Sequence, residues 1–489
     1  MHLSILHISD LHYGSKKSIN SQVLLDSLER DRERYVSCNG TQIKSPDIII
    51  VSGDIIQGVK FDDTDAEKTL RKQYDEALEF LNTLTDRFVE GNKQRVILVP
   101  GNHDVSDYHF RQSITATPID TASKNKKELA SKLFEKYSTL RWSWHEFSLY
   151  TITDQDIYHQ RFAAFIDFYN RFYDETREYS PDPDNQFDVF HLPDLGIVVI
   201  GFCSCYNNDI LNKQGAINPN CIALVSNHLR KLSGAQKHLR IAVWHHNIEG
   251  RPTDSNYMDP DVVQNLIDSG FSIGFHGHQH KPQFLDTRFR HAPDRGITVI
   301  SAGTLCGDAA FRHGCAYNIV ELNVPKRKGR LHVREMSNDS LDMPIWGTRP
   351  LPPSQDTCLE FTFDLPPKPF IKEDISMEKL VEAQKLYDRG EYHDAANILS
   401  KLSDDLARPL LLDCLIKLDD NVEIARFFDP PKNLSESIAL LDALWEQGKT
   451  TRISEILNLP LIVKSEDPVA NEVREKYTMK LAVRNGKVK

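Results

Sequence analysis

The sequence lacks the features of a membrane-embedded protein. No run of about 18 apolar residues, the length that a helix needs to cross a bilayer, occurs in its 489 residues. Positive charge is also scarce, because 59 Lys and Arg residues stand against 70 Asp and Glu residues, a formal net charge of −11. Sequence-independent binding to duplex nucleic acid depends on Lys and Arg. We therefore expect no membrane interaction and no strong sequence-independent binding to duplex nucleic acid.

Paired cysteines are missing as well. The eight cysteines form no Cys-x-x-Cys pair, and the closest spacing is Cys203-x-Cys205. Scattered thiols in a chain of this length are typical of reduced core residues. Met1 leads directly into the apolar stretch before Asp10, a pattern unlike that of a cleavable signal peptide. We expect a cytoplasmic protein, and its length predicts two or three domains.

Five short segments place metal-ligand side chains directly after apolar runs. The runs are rich in Ile, Val and Phe and end at turn formers, which is typical of buried strands. In open α/β sheets, sites assemble at the carboxyl ends of strands. The segments are Asp10-Leu11-His12, Gly53-Asp54, Gly101-Asn102-His103-Asp104, His245-His246 and Gly277-His278-Gln279-His280. The pattern predicts an α/β fold in which five strand ends supply one site.

These side chains together indicate a site for two metal ions. Crowded carboxylates repel each other, and a buried charge without a partner is costly. Divalent cations turn the same side chains into ligands. One aspartate can bridge ions about 3.5–4 Å apart, a spacing that suits in-line attack on phosphorus. The ligands are oxygen and imidazole without thiolate, a set that suits manganese, iron or zinc without choosing among them. We expect manganese, with iron or zinc as alternatives.

The five segments resemble the signature of the calcineurin-like metallophosphoesterase superfamily: Asp-x-His, Gly-Asp, Gly-Asn-His-Asp/Glu, His and Gly-His-x-His. The resemblance covers about residues 1–335. It implies a two-sheet α/β/β/α sandwich with the site at the strand ends. By motif, the first metal would be held by Asp10, His12 and His280, the second by Asn102, His245 and His278, and Asp54 would bridge them.

The same resemblance implies a catalytic role for His103, which would stand free of the metals and face the substrate while Asp104 holds its ring. A histidine that titrates near neutral pH suits a general acid for an alkoxide leaving group. A hydroxide shared by the two metals would attack the phosphorus in line. Asn102 would limit the negative charge around the second ion, because its oxygen is neutral.

Two adjacent histidines leave one ligand open. In the family the first His after the strand is the ligand, which favours His245, although Asn247 stands where many members have Pro. His246 remains an alternative ligand. If His245 binds the metal, we expect His246 to contact the substrate.

A long insertion, about residues 106–186, separates the third segment from the fourth. Its aromatic residues recur at steps of three and four, which is typical of one apolar helix face. The residues are Phe162, Phe165, Ile166, Tyr169, Phe172 and Tyr173. We favour a helix packed on the sandwich. The alternative is a cap whose aromatic side chains, with Trp142 and Trp144, contact a base.

Seven prolines between Pro344 and Pro369 mark a domain boundary, because proline this dense does not fit a helix or a central strand. We predict a catalytic domain over residues 1–340, a proline-rich connector over 341–374 and an all-helical domain over 375–489.

In the helical domain, paired helices recur about every 30 residues, and the first pair resembles a degenerate tetratricopeptide unit. Three such hairpins would form a short solenoid with a surface for a protein partner or for self-association. Alternatively, the helices simply pack on the catalytic domain.

Differences between this sequence and two branches of the superfamily narrow the class of reaction that we expect. No arginine closely follows Asp54, and Asp104 replaces Glu, unlike the Ser/Thr phosphatases. Gln57 stands where purple acid phosphatases have a tyrosine ligand. The stretches 9–12 and 99–104 look most like the bacterial cyclic-nucleotide phosphodiesterase branch.

We therefore expect a dinuclear phosphodiesterase acting on a nucleotide or nucleic acid. One alternative is the nuclease subunit of a larger assembly, recruited through the C-terminal helices. A second is a non-catalytic binding scaffold, against which the intact His103 and Asp104 weigh.

Overall fold

The protein is represented by a computed structural model that divides into two compact units, Met1–Pro369 and Phe370–Lys489. The structure describes residues 2–15, 19–36, 40, 42–118, 126–133, 135, 138–232, 234, 237–250, 256–289, 292–306, 314–338, 340–351, 357–365, 375–402, 407–463, 465 and 467–484.

The first unit combines strands and helices. The strands are β1 (His2–Ile8), β2 (Ile48–Val51), β3 (Val96–Leu98), β4 (Ile114–Thr117), β5 (Leu140–Ser143), β6 (Ser148–Ile152), β7 (Phe187–Leu192), β8 (Ile197–Phe202), β9 (Leu239–Val243), β10 (Ile273–His276), β11 (Gln283–Phe289), β12 (Ala292–Ser301), β13 (Ala316–Asn323), β14 (Lys328–Met336), β15 (Trp346–Arg349) and β16 (Leu359–Thr362). The helices are α1 (Ser21–Arg32), α2 (Ala66–Val89), α3 (Asp107–Ser113), α4 (Lys126–Leu133), α5 (Gln155–Gln160), α6 (Ala163–Phe172), α7 (Pro219–Lys231) and α8 (Pro260–Asp268).

Two sheets form the centre of this unit. The first sheet has the strand order β15-β14-β13-β1-β2-β3, with β16 also paired to β14, and the second has the order β11-β12-β10-β9-β8-β7. Strands β1, β2 and β3 run parallel in the first sheet, as do β8, β9, β10 and β12 in the second. Each sheet therefore presents the carboxyl ends of several parallel strands at one edge.

The sheets pack face to face between two layers of helices. In β8, Ile197 and Val199 belong to the core that also contains β1, β2 and β3. Their neighbours Val198 and Ile200 belong to a second core with α7 and α8. Because successive side chains of a strand point to opposite faces, this division places a sheet on one side of β8 and helices on the other. With α1 and α2 in the first core, the layers are α/β/β/α, and the predicted fold class is confirmed.

The aromatic stripe of the insertion is a helix packed on the sandwich, as favoured from its spacing. Helix α6 contacts α2, and Phe165, Tyr169 and Phe172 are fully buried in the core shared with the first sheet. The base-stacking alternative is wrong for these residues, because they have no surface to offer. Strands β4, β6 and β5 of the insertion form a separate small sheet, at whose turn Trp144 is 76% exposed.

The predicted connector over 341–374 contains two strands of the first sheet. Both β15 and β16 pair with β14, and Trp346, Phe361 and Phe363 are buried in the main core. In the sequence, the prolines fall between and beside these two short strands. The proline-rich composition therefore predicted a connector where the structure has two strands of the first sheet.

The second unit is helical, as predicted. Its helices are α9 (Ile375–Asp388), α10 (Tyr392–Leu399), α11 (Ala407–Lys417), α12 (Asn421–Phe427), α13 (Leu434–Glu446), α14 (Thr450–Ile456), α15 (Pro460–Val463) and α16 (Pro468–Arg484). From α9 to α14 each helix contacts the next. Ala383 and Ala395 are fully buried between the first pair, and Gly390 has the left-handed backbone (φ +79°) that ends α9.

The described cysteines are all buried: Cys203, Cys205, Cys221, Cys306, Cys315, Cys358 and Cys414. None of the helices in the described ranges combines the length and the apolar character needed to cross a membrane.

Candidate metal centre

The predicted ligands lie beyond the carboxyl ends of five strands. Those that follow β1, β2 and β3 of the first sheet are Asp10, His12, Asp54 and Asn102, and those that follow β9 and β10 of the second sheet are His245, His278 and His280. Because the sheets pack face to face, both sets meet at one edge of the sandwich.

One cluster contains Asp10, His12, Asp54 and His280, each of which offers a ligand atom within 4.8 Å of the others. The Nε2 atoms of His12 and His280 are 3.1 Å apart. His280 Nε2 lies 3.3 Å from Asp10 Oδ1, and His12 Nε2 lies 4.0 Å from Asp54 Oδ2. These are the residues expected around the first metal, together with the bridging aspartate.

The second cluster lies on the other side of Asp54. His245 Nε2 is 3.1 Å from Asp54 Oδ2 and 3.1 Å from Asn102 Oδ1. His278 Nδ1 is 2.8 Å from Asn102 Oδ1 and 3.3 Å from His245 Nε2. Asp54 is thus the one carboxylate of the described residues that belongs to both groups of candidate metal ligands.

The donor atoms fit a bound cation. His245 Nδ1 lies 2.8 Å from the Ser52 carbonyl oxygen, so this nitrogen carries the proton in the neutral ring. Nε2 then directs its lone pair at two oxygen acceptors, an arrangement that a cation stabilises. In the first cluster, His12 Nε2 and His280 Nε2 also face each other. Ligand atoms about 2.0–2.2 Å from one shared ion lie about 3 Å apart, as these atoms do.

The electrostatics favour the ligand forms of these side chains. Burial lowers the pKa of His12 to about 4 and that of His278 to about 3. Burial alone would raise the pKa of Asp10, but His280 outweighs it, and the pKa falls to about 2. Burial likewise opposes the charge of His245, yet Asp54 raises its pKa to about 9. Ionised carboxylates and neutral imidazoles are the forms that bind metals, so a metal at His245 replaces a proton.

The ligand loops adopt uncommon backbone conformations. Left-handed φ values occur at Asp10 (53°), His12 (49°), Asp54 (51°), His278 (74°) and His280 (53°). Non-glycine residues rarely adopt this region, and such residues cluster at functional sites.

Two glycines make room for these loops. A Cβ on Gly53 would lie 2.6 Å from His245 Nδ1, and one on Gly101 would overlap Asp54 Oδ1. Neither position has room for a larger side chain, so glycine at both positions allows the ligand loops to pack closely together.

His103 stands beside the clusters, half-buried at the wall of a cavity. Its backbone N–H donates to Asp54 Oδ1 over 2.8 Å, and its ring lies 4.8 Å from that of His12. Nδ1 is 2.8 Å from the carbonyl oxygen of Gln57. The bond to Gln57 fixes the ring and leaves Nε2 free to exchange a proton.

The expected contact between Asp104 and the His103 ring is absent among the described residues. The Asp104 carboxylate accepts N–H bonds from Gly101 (2.8 Å), Ile55 (3.2 Å) and Ile56 (3.3 Å). It also accepts the Tyr74 hydroxyl. In the short 3₁₀ turn Asn102–Asp104, the carboxylate folds back to cap its own turn and so faces away from the ring. Burial raises the Asp104 pKa to about 6.

Of the adjacent histidines, His245 is the one in the clusters. The ring of His246 is fully buried, with Nδ1 2.9 Å from Ser204 Oγ and Nε2 3.3 Å from Asn208 Nδ2. Asn208 lines the neighbouring cavity whereas His246 does not. His246 therefore touches two residues of the cavity, Asn208 and His278, whose ring centroid lies 4.8 Å from its own.

Residues 3–282 match the family model for calcineurin-like phosphoesterases. The chain belongs to the calcineurin-like phosphoesterase family. This family implies a phosphoester hydrolase, and the two clusters are the candidate metal site that it needs.

Several solved structures are similar to this phosphoesterase at low identity. PhoD is 9% identical with a TM-score of 0.39, covering 80% of this chain and 78% of its own. TT1561 of Thermus thermophilus is 10% identical with a TM-score of 0.31, covering 68% and 99%. YfkN from Bacillus subtilis is 11% identical with a TM-score of 0.26, covering 80% and 98%. No curated protein matches the sequence.

A cavity of about 290 Å³ opens beside the second cluster of this phosphoesterase. Asn102, His103 and His278 form its metal side. The other lining side chains come from the loops after β2 and β9, from the start of α3 and from the loop after β8. They are polar or aliphatic: Val59, Val105, Asp107, Asn208, Asp209, Ile210, Lys213 and Asn256. Arg141 and Tyr158 of the insertion hold this loop, since both bond to Asp209. The insertion therefore helps to build the cavity.

Several residues that support the phosphoesterase site were missed in the sequence. Ser52 and Gln57 act through backbone carbonyls, which the sequence pattern does not reveal. The Ser204 hydroxyl accepts the N–H groups of His245 and His246 over 3.1 Å each. Tyr74 lies on α2, outside the five segments that carry the site pattern.

Proposed function

We propose that this phosphoesterase is a dinuclear, metal-dependent phosphodiesterase that acts on a nucleotide or nucleic acid. The observation that carries the proposal is the position of Asp54, whose carboxylate is shared by two sets of ligand atoms. Asp10, His12 and His280 would hold one ion, and Asn102, His245 and His278 the other. We expect manganese, with iron or zinc as alternatives that the oxygen and imidazole ligands also suit. Bound ions at this position polarise a phosphoryl oxygen and lower the pKa of water.

His103 is the proposed proton donor. Its Nδ1 is bound to Gln57, so Nε2 is the atom that would protonate the leaving alcohol oxygen. Asp104 is then a positioning residue, because its bonds to Gly101 and Ile55 hold the loops that carry Asn102 and Asp54. In this proposal His246 positions Asn208 at the cavity wall.

The charge of the cavity favours a diester over a monoester. Lys213 is the sole Lys or Arg among the described lining residues, and two aspartates face it. Beyond the two metal ions, a phosphomonoester with up to two negative charges would meet one cationic side chain, opposed by these two aspartates. A diester carries one negative charge, and its second substituent can occupy the polar wall.

The C-terminal helices support the alternative of a nuclease working within an assembly. The succession of contacts from α9 to α14 fits three stacked hairpins of the tetratricopeptide kind, which usually bind a protein partner. Under this alternative, the full chain would self-associate or bind a partner, and it would cut single-stranded DNA or RNA. A non-catalytic scaffold would bind phosphoesters without turnover.

A substrate panel tests these possibilities. The metal-free full chain is supplied with manganese and assayed on cyclic nucleotides, single-stranded DNA and RNA, bis(p-nitrophenyl) phosphate and p-nitrophenyl phosphate. We expect diester hydrolysis that EDTA abolishes and manganese restores. Asp54→Asn is the matched inactive control. Equal or faster turnover of the monoester would contradict the diesterase proposal, and no turnover of any substrate would favour the scaffold.

A further inference from the structure

The cavity beside the second cluster contains two aspartates in different states. Both oxygens of Asp209 are occupied, because Oδ1 accepts the N–H groups of Leu211 and Asn212 while Oδ2 accepts Arg141 Nε and the Tyr158 hydroxyl. Its charge is also neutralised by Arg141 at 2.7 Å. Asp209 is therefore a structural residue of the wall.

Asp107 has no such partners. It lines the same cavity from the first position of α3 and is half-buried. Its charge interacts with Asp209, His103 and Lys213, but no hydrogen-bond donor of the described chain reaches its carboxylate. A half-buried carboxylate without a donor from the protein is less favourable than a bonded one, so a ligand that supplies donors would bind favourably there.

The position of Asp107 defines which part of a substrate it can meet. The metal ligands Asn102 and His278 line the same cavity, and the phosphoryl group belongs beside them. A carboxylate repels phosphate, so Asp107 must face the alcohol that is esterified to it.

The wall as a whole selects the chemistry of that alcohol. Lys213 balances the charge of Asp107, and Asn208 and Asn256 add neutral donors and acceptors. A quaternary ammonium group would meet Lys213, and a hydrocarbon chain would leave the Asp107 carboxylate without a donor. A neutral alcohol with several hydroxyls satisfies both the carboxylate and the amides. Aspartate is a common acceptor for the vicinal hydroxyls of ribose.

We infer that Asp107 is a specificity-determining residue that accepts hydrogen bonds from vicinal hydroxyls on the alcohol side of the phosphodiester. The inference rests on the proposed phosphodiesterase function and names its substrate class. Ribose and glycerol are two common sources of this vicinal diol.

A purely structural role for Asp107 makes a different prediction. An acidic residue in the first turn of a helix stabilises the helix dipole. Helix α3, however, is already capped by Ser106, whose hydroxyl accepts the His109 N–H. If Asp107 only supported the helix, its replacement would change the melting temperature and leave substrate preference unchanged.

The test uses p-nitrophenyl phosphodiesters that share one leaving group and differ in the second alcohol. The four alcohols are ethanol, glycerol, adenosine through its 5′-oxygen and 2′-deoxyadenosine through its 5′-oxygen. The full chain is assayed with excess manganese as wild type, Asp107→Asn and Asp107→Ala. Asp261→Asn is the matched control, because Asp261 is an exposed acidic residue in the first turn of α8 and does not line the cavity. The readout is the ratio of kcat/KM for a diol substrate to that for its partner.

We expect wild type and Asp261→Asn to prefer glyceryl over ethyl, or adenosine over deoxyadenosine, by about 10- to 100-fold, the usual worth of hydrogen bonds to a charged group. The ratio should fall towards one in both Asp107 variants. The pair that shows the preference identifies glycerol or ribose as the source.

A wild-type ratio near one for both pairs would overturn the inference, and this measurement needs no variant to fold. An unchanged ratio in the Asp107 variants would overturn it as well. If wild type hydrolyses none of the four diesters, the result would instead refute the proposed phosphodiesterase function.

Discussion

The hydroxyl of Tyr74 donates a hydrogen bond to Asp104 Oδ1 over 3.1 Å, and both side chains are buried. The same carboxylate accepts the N–H groups of Gly101 and Ile55, which belong to the two loops that carry Asn102 and Asp54. Tyr74 stacks on Phe168 of α6 at 4.9 Å between ring centroids. A continuous set of contacts therefore joins the insertion to both candidate metal sites.

Tyr74→Phe should weaken metal binding without unfolding the protein. Removal of the hydroxyl leaves the buried Asp104 one donor short, and loss of such outer contacts typically lowers metal affinity about 10- to 100-fold. The measurement is the manganese concentration for half-maximal activity. Tyr35→Phe is the control, because that hydroxyl bonds to the neighbouring buried Tyr317 and not to a ligand loop. An equal loss of affinity in both variants would contradict a specific role for Tyr74.

Asp54→Asn should lose most bound metal and nearly all turnover. The substitution removes the negative charge shared by both clusters while it preserves shape. Metal content per chain, measured by inductively coupled plasma spectrometry after gel filtration, is the direct readout. Asp188→Asn removes an aspartate that bonds Tyr169 and Arg177 outside the site and should keep full metal content. Full occupancy in Asp54→Asn would refute the shared-ligand assignment.

His103→Ala should still bind both metals but lose turnover. The loss should be larger for a more basic leaving group, which needs more help from a proton donor. General acid catalysis contributes about 10²- to 10⁴-fold, and a nitrophenolate needs little protonation. Rates are compared for esters with nitrophenyl and with alkyl leaving groups, and His191→Ala serves as a remote control. A loss of equal size for both leaving groups would mean that His103 binds the phosphate and does not donate the proton.

Two buried ion pairs allow stability to be separated from function. Arg141 pairs with Asp209 in the cavity wall, and Arg334 pairs with Asp31 of α1. Removal of one partner of a buried pair costs about 3–5 kcal/mol, so Arg141→Ala and Arg334→Ala should lower the free energy of unfolding alike. Denaturant titration measures that loss. Only Arg141→Ala should also raise KM, because only it releases the loop that carries Asn208.

Two truncations test where the catalytic unit ends. A chain that ends at Pro369 retains β15 and β16, and it should hydrolyse bis(p-nitrophenyl) phosphate at close to the full-length rate. A chain that ends at Pro353 loses Phe361 and Phe363 from the core, and loss of each buried Phe side chain typically costs about 3–5 kcal/mol. We expect the shorter chain to aggregate. Aggregation of the longer chain as well would mean that the helices complete the catalytic core.

Prediction from the sequence succeeded where the type or the spacing of side chains itself contained the information. An apolar run followed by Asp10 and His12 predicts both a strand and a ligand pair, and the structure brings these together with Asp54 and His280 as expected. The aromatic stripe of α6 was predicted on the same basis, since its three- and four-residue spacing defines a buried face.

Prediction from the sequence was weaker where the partner is a backbone atom. The bond of His103 to the Gln57 carbonyl and the bonds of Asp104 to backbone N–H groups depend on turns whose geometry the residue types do not specify. Strands β15 and β16 were also overlooked, because a four-residue edge strand between prolines has too few residues to show a period.

Five candidate ligands have a left-handed backbone conformation, which lowers the stability of the fold at residues that the proposed function requires. Such a conformation costs a non-glycine residue about 1–2 kcal/mol, and the ligands Asp10, His12, Asp54, His278 and His280 all adopt it. Glycine at any of these positions would relieve the strain and delete a ligand. Laboratory evolution of the metal-free protein for heat resistance alone should therefore drift towards glycine there and erase the site. Selection that includes phosphoester turnover would hold these residues in place against that drift.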